Sequence, residues 1–172
     1  GDMTIAMYIS GGEVICTLNF GGVSAGAVLG EASIRAEGAQ ALFSNVSLAA
    51  QAIDGTVLGS GDTFSFNALV GARTAERGYQ RAVNGRGVEV VGGGVAQAAS
   101  TLYLALQQVD GISYDAKKTY GSRYNQDYVE SGDDAILVDE SAGTDFAFTN
   151  FHGDMTIAMY ISGGEVICTP NF

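Results

Sequence analysis

The chain has 172 residues, 47% of them hydrophobic, with 25 glycines, one proline and no tryptophan. That is enough for one domain with its own core and a spare segment. A formal charge of −11 argues against binding nucleic acid or an anionic membrane through bulk electrostatics, and no apolar run approaches the roughly 18–20 residues of a bilayer-spanning helix. The glycines fall between apolar, β-patterned runs, so they read as tight turns and close backbone contacts, not as disorder.

Taken in chain order, the first feature is a duplication. Residues 1–20 return as residues 153–172 with a single change, Leu18 against Pro170. A fixed offset marks a repeated unit. The chain reads either as a piece of a tandem array or as one unit with a copy of its last hairpin joined to the front. The duplicated segment has hairpin chemistry. Met155, Ile157, Met159 and Ile161 alternate, Ser162-Gly163-Gly164-Glu165 can turn, and Val166-Ile167-Cys168 is an apolar return strand. Met3, Ile5, Met7, Ile9 and Cys16 repeat the pattern. Cys16 and Cys168 read as small buried apolar residues on a strand, with a disulfide between neighbouring units as the alternative. A lone two-stranded hairpin is marginal in water, so one copy is expected to complete a sheet and the other to need a neighbour.

Residues 21–38 read as a connector, with a short strand at 27–29 and no assignment for 31–40. A helix is predicted at about 45–54, with Ser44 or Asn45 as N-cap and Asp54-Gly55 as the stop; Val46, Ala49, Ala50 and Ile53 share one face. Residues 56–58 form a short strand and 59–62 a turn. Thr63 to Asn67 alternates, which places Phe64 and Phe66 on one core-facing side. Gly92-Gly93-Gly94 precedes the strongest helical pattern, 95–109, whose stripe is Val95, Ala98, Ala99, Leu102, Tyr103, Leu106 and Val109. Short strands are predicted near 127–130, 135–138 and 145–149. The sum is an α+β domain at 39–172, with small, mostly antiparallel sheets, two main helices and a terminal hairpin present at both ends.

Three clusters invite a chemical reading. Gly92, Gly93 and Gly94 before a helix suggest an anion site. However, the lysine and hydroxyl of a P-loop and the spacing of a dinucleotide fingerprint are missing, and glycine also serves where backbone turns tightly into a buried helix. Arg73, Arg77, Arg81 and Arg86 are half of all the basic residues. They read either as a carboxylate-binding patch or as local salt bridges to Glu76 and Glu89. Glu130, Asp133, Asp134, Asp139 and Glu140 lack the order of an EF-hand and read as a solvated loop face. The sole histidine, His152, reads as a surface or turn residue. The candidate binding set is Gly92, Gly93, Gly94, Gln97, Arg73, Arg77 and Tyr79; no metal or cofactor is expected.

The blocks 61–67, 70–79, 92–97 with Ser100 to Tyr103, 128–135 and 146–150, in that order and spacing, resemble the VanW-like domain family of bacterial cell-envelope proteins over roughly residues 39–169. The resemblance implies an extracellular or cell-surface setting. The family's glycine block usually reads Gly-Gly-Gly-Val-Cys-Gln, and a histidine usually precedes the Tyr-Val block. Here the cysteine position is Ala96, and residues 119–126 hold no histidine. A thiolate mechanism needs both a sulfur and a nearby base, so the chain is expected not to be an enzyme. The leading expectation is a structural repeat module that joins copies head-to-tail through its hairpins. The alternatives are a module that binds cell-wall peptide or glycopeptide, and a degenerate cell-wall-modifying enzyme.

Overall fold

The computed structural model describes residues 3–10, 12–20, 30, 32–35, 39–124, 126–162 and 165–171. The front hairpin is β1 (Met3–Ser10) and β2 (Gly12–Phe20), followed by β3 (Ala32–Arg35), α1 (Gln40–Ile53), β4 (Val57–Leu58), β5 (Thr63–Ser65) and α2 (Phe66–Val70). Then come a 3-10 turn at Ala75–Arg77, β6 (Arg81–Val83), β7 (Glu89–Val91), α3 (Ala96–Leu106), β8 (Ile112–Ala116) and β9 (Ala147–Asn150). The closing hairpin is β10 (Met155–Ser162) and β11 (Glu165–Asn171). The fold is α+β, as the sequence predicts.

The main sheet runs β1-β2-β11-β10-β4, with β1 also bridged to β10. Each hairpin is antiparallel within itself, and the two copies meet in parallel in one sheet of the same chain. The expectation that only one copy would find a place and the other would need a neighbour is therefore not met: each hairpin supplies the other's open edge. The partners across that junction are the same residue in each copy: Thr4 with Thr156, Ile5 with Ile157, Met7 with Met159, Val14 with Val166 and Thr17 with Thr169. Both β1 and β10 lie against α1 and β4. Of the residues expected to mediate assembly, Met155, Ile157, Met159 and Ile161 are fully buried. The side chains of Met3, Ile5, Met7, Ile9, Cys16 and Cys168 lie outside the described set.

Helix α1 begins at Gln40, earlier than the predicted start near residue 45, with Ala39 as an N-cap that makes no side-chain hydrogen bond. Neither Ser44 nor Asn45 caps it. Leu42 and Phe43 pack against the core, and burial of those side chains extends the helix one turn beyond its local start signal. The predicted stop holds: Gly55 takes φ +84° after Asp54. Helix α3 ends at Leu106 rather than 109, where Gln108 and Val109 donate back to Ala105 and Leu106 and tighten the last turn.

Residues 127–130 form turns and not a strand, and in 135–138 only Ile136 makes a bridge, to Thr119. Phe66 does not continue the strand of Phe64. It starts α2, where Ser65 Oγ accepts from the Ala68 N–H at 3.1 Å, although both rings are buried. The strand predicted at 27–29 lies outside the described residues. Within the predicted connector, β3 places Ala32 and Ile34 in the core. The second sheet, β5-β9-β8, pairs Phe64 with Phe148 across the ladder, their rings stacked at 4.9 Å.

Asp54 closes α1 beside the main sheet, where burial pushes its carboxyl up to about 7 and Oδ1 accepts from the Met159 N–H at 3.4 Å. The native state therefore holds this proton more tightly than the unfolded chain, whose carboxyl titrates near 4. The contribution is fully present below about pH 4 and is lost as pH rises towards 7. Because the group is only half-buried and solvent screens it, the loss is expected to be about 1 kcal/mol. Asp54→Asn should remove it, and urea midpoints of both proteins at pH 5 and pH 8 read the difference.

Candidate functional site

The glycine triplet links β7 to α3. Gly92 and Gly94 adopt φ of +81° and +98°, conformations that cost any other residue steric strain. Most of the loop's amides are already engaged. The N–H groups of Gly92, Gly93, Val95 and Gln97 donate to the carbonyls of Gln80, Val90, Gly92 and Gly94. An anion site built from backbone donors would find few of them free. From the other side, the buried Asn45 of α1 clamps the loop. Its Nδ2 donates to Gln80 O at 2.8 Å and Gly93 O at 3.0 Å, and its Oδ1 accepts from the Gln80 N–H at 2.8 Å.

Two clefts flank this loop. The first, about 200 Å³, is lined by the triplet, Arg73, Arg86, Tyr120, Asp139 and Glu140 among others. The second, about 300 Å³, is lined by Leu42, Val83, Gln97, Gln126, Asp127 and Tyr128 among others. They share Asn84, Gly94 and Ala96, so the two clefts, hereafter the groove, adjoin around the N-terminal end of α3. Ala96 is buried and lines both clefts.

The four arginines do not converge. Arg73 is held by Gly71 O at 3.0 Å and Asn67 Oδ1 at 2.7 Å and sits over the Phe66 ring. Burial lowers its pKa, while Tyr79 and the carboxylates of Glu140, Asp145 and Asp139 oppose that shift. Arg77 donates to Ala72 O, and Arg81 pairs with Glu89 at 3.2 Å across an exposed surface. Glu76 is stabilised as a carboxylate by its own N–H and by Thr74. Only Arg73 and Arg86 reach the groove. Tyr79 is buried, which raises its hydroxyl pKa against the pull of Arg73 and Arg77; neither Tyr79 nor Arg77 lines a cleft.

Asp139 is held below the usual carboxylate range by Ser141 Oγ and the Ala142 N–H, with Arg73 and Arg86 contributing, against some desolvation. His152 is exposed in the bend before β10, with Nδ1 2.9 Å from Asp110 O, and lines neither cleft.

The residues that complete the groove were missed by sequence reasoning. Asn84 accepts from the Arg86 and Val88 N–H groups to shape the β6–β7 turn, an Asx pattern that Asn84-Gly85 does signal. Gln126 donates to Gly85 O at 2.8 Å and Tyr124 O at 3.0 Å, a bond between segments far apart in sequence that no local signal foretells.

The architecture defines an α+β domain with a groove wrapped around the entry to its central helix. The chain belongs to the VanW-like family of bacterial cell-envelope proteins, whose profile, described as VanW like protein, matches residues 43–169. It is 39% identical over 129 residues to the protein YoaR of Bacillus subtilis (strain 168), an alignment that takes in 73% of this chain and 41% of that protein. The chain thus spans less than half the length of that relative. No solved structure matches it. Among the described residues, no helix is long and apolar enough to cross a membrane.

Proposed function

We propose that the chain is a non-catalytic structural module of an extracellular bacterial surface protein, which joins copies head-to-tail through its terminal hairpins. The observation that carries this reading is the copy-to-copy register of β1 with β10 and β2 with β11. Strands of identical sequence share one register preference, and both β1 and β10 lie beside α1 and β4. A hairpin from another molecule would satisfy the same position equally well. Such a contact is heterologous and propagates unless a ring closes it. Pro170 faces Ile157 where the front copy has Leu18 facing Ile5. Proline donates no ladder hydrogen bond, so the closing hairpin is the weaker of the two and the one more readily displaced.

The absence of enzymatic activity rests on Ala96. The groove's central position offers a methyl group, which is neither nucleophile, acid nor base, and the groove lining holds no histidine.

Light scattering of the full chain and of a chain lacking residues 1–20 tests the assembly. The full chain is expected to grow in mass with concentration and the shortened one to stay monomeric. A full chain that remains monomeric at millimolar concentration overturns the reading. Turnover of peptidoglycan fragments by the purified chain would overturn its non-catalytic part. Ala96→Cys alone should create no activity, because no histidine lines the groove to accompany the thiol.

A further inference from the structure

We infer that the second cleft is a subsite for an uncharged backbone amide of a short peptide, with Gln97 as the residue that reads it. Gln97 is 5% exposed, and its Oε1 is buried without a hydrogen-bond partner. A buried acceptor left unpaired opposes folding, so a group kept in that state needs a reason. Its position supplies one, because Gln97 lines the cleft. The other polar wall residues are differently placed. Gln126 spends its Nε2 on Gly85 and Tyr124. The Tyr128 hydroxyl is near Ser100 without reaching hydrogen-bonding geometry, and burial pushes its phenol pKa up, so it stays a neutral donor.

A carboxamide carries an acceptor and donors in one plane, the complement of a peptide N–H and C=O. The terminal torsion of glutamine is broad, so Oε1 can turn from its shielded position towards the cleft at small cost. Leu42 and Val83 supply apolar walls, which suit small side chains next to the amide. At Asn84, Gly94 and Ala96 the cleft adjoins the first one, where the exposed Arg86 guanidinium acts electrostatically on Asp139 and Tyr120. Two adjoining clefts suit an extended peptide better than a compact ligand, with Arg86 the cation that a terminal carboxylate would share with Asp139. This inference is independent of hairpin assembly, and its readout does not depend on the oligomeric state.

The test is an NMR titration of the isotope-labelled full chain with acetyl-Ala-Ala-methylamide, with acetyl-Ala-Ala bearing a free carboxylate, and with N-acetylglucosamine. Both peptides are expected to shift the Gln97 side-chain and Gly94–Gln97 backbone signals saturably, the free carboxylate binding more tightly. Gln97→Met keeps the shape and removes the polar atoms. It should weaken peptide binding at least tenfold while leaving the melting temperature equal or higher, since no partner is lost. A Gln97→Met protein that melts lower or fails to fold shows a structural bond at Oε1 and overturns the proposal. So does the absence of peptide shifts at millimolar concentration, peptide binding unchanged in the variant, or binding of the sugar alone.

Discussion

Gly93→Ala is expected to destabilise the domain by about 3 kcal/mol or to prevent folding. A Cβ at Gly93 would lie 2.0 Å from the Ala82 carbonyl oxygen and 2.5 Å from its carbon. These are backbone atoms of β6, so no side-chain rotation relieves the contact. The loop must lift away from the strand. Doing so pulls Gly93 O from Asn45 Nδ2 and strains the Gly93 N–H bond to Val90 O. Overpacking of this kind costs about 1–3 kcal/mol, to which the lost hydrogen bonds add. Gly94→Ala compounds a positive φ with a 2.4 Å approach to Leu42 Cγ, though there a side chain can yield. Thermal melts of the two variants give the ranking. A Gly93→Ala protein as stable as the parent would mean that the loop relaxes freely, and that its glycine serves a bound ligand instead.

Asn45→Ala is expected to cost about 3–5 kcal/mol. Asn45 is fully buried, and its carboxamide makes three bonds to the backbone of two other segments, Gln80 and Gly93. Its removal leaves the Gln80 N–H and the buried Gly93 carbonyl unpaired, leaves Gln80 O with only the Gly92 N–H, and opens a cavity at the joint between α1 and the loop. Each unpaired group costs about 1–3 kcal/mol, and the cavity adds to that. Asn45→Asp is the informative companion. It keeps the acceptor for Gln80 N–H but sets a carboxylate against two carbonyls, so it should be at least as damaging above pH 5 and should recover in part when protonated at lower pH. Urea titrations of both variants at pH 4.5 and pH 7.5 check this. A loss below about 1 kcal/mol for Asn45→Ala would show that the loop holds its shape through its glycines alone.

Asn45 also shows why reading the chain locally misplaced the start of α1. An asparagine ahead of an apolar periodic run is a sound cap signal, and nothing nearby contradicts it. The carboxamide is instead spent on residues 35 and 48 positions away. Long-range hydrogen bonding outbids the local preference, and burial of Leu42 and Phe43 adds the extra turn. The strands expected at 127–130 and 135–138 failed for a related reason. In 135–138 the apolar residues are buried, as the pattern implied, but the segment makes a single antiparallel bridge, flanked by the Tyr120 N–H to Ala135 O and Leu137 N–H to Lys118 O bonds. In 127–130 Tyr128 and Val129 are half-buried, and the Val129 N–H closes a turn onto Gln126 O. Periodicity cannot distinguish such segments from strands.

What could be read along the chain were features carried by short-range pattern or by identity between segments. They include the duplicated hairpin, the apolar faces of α1 and α3, the helix stop at Asp54-Gly55, the glycine triplet, the α+β class and the family. Each rests on residues a few positions apart, or on comparing one stretch with another, and neither needs coordinates. The groove was not legible. Ala96 acquires meaning as a wall shared by two clefts only when the β6–β7 turn, the 126–128 segment and the 137–141 loop close around the entry to α3. The dispersal of the arginines, with Arg73 held by Asn67 and Arg81 by Glu89, was equally hidden, because closeness in sequence sets no common direction for long side chains. The unpaired Gln97 oxygen is the extreme case: whether a buried polar atom has a partner depends on every segment packed around it, so it is a property of the folded chain alone.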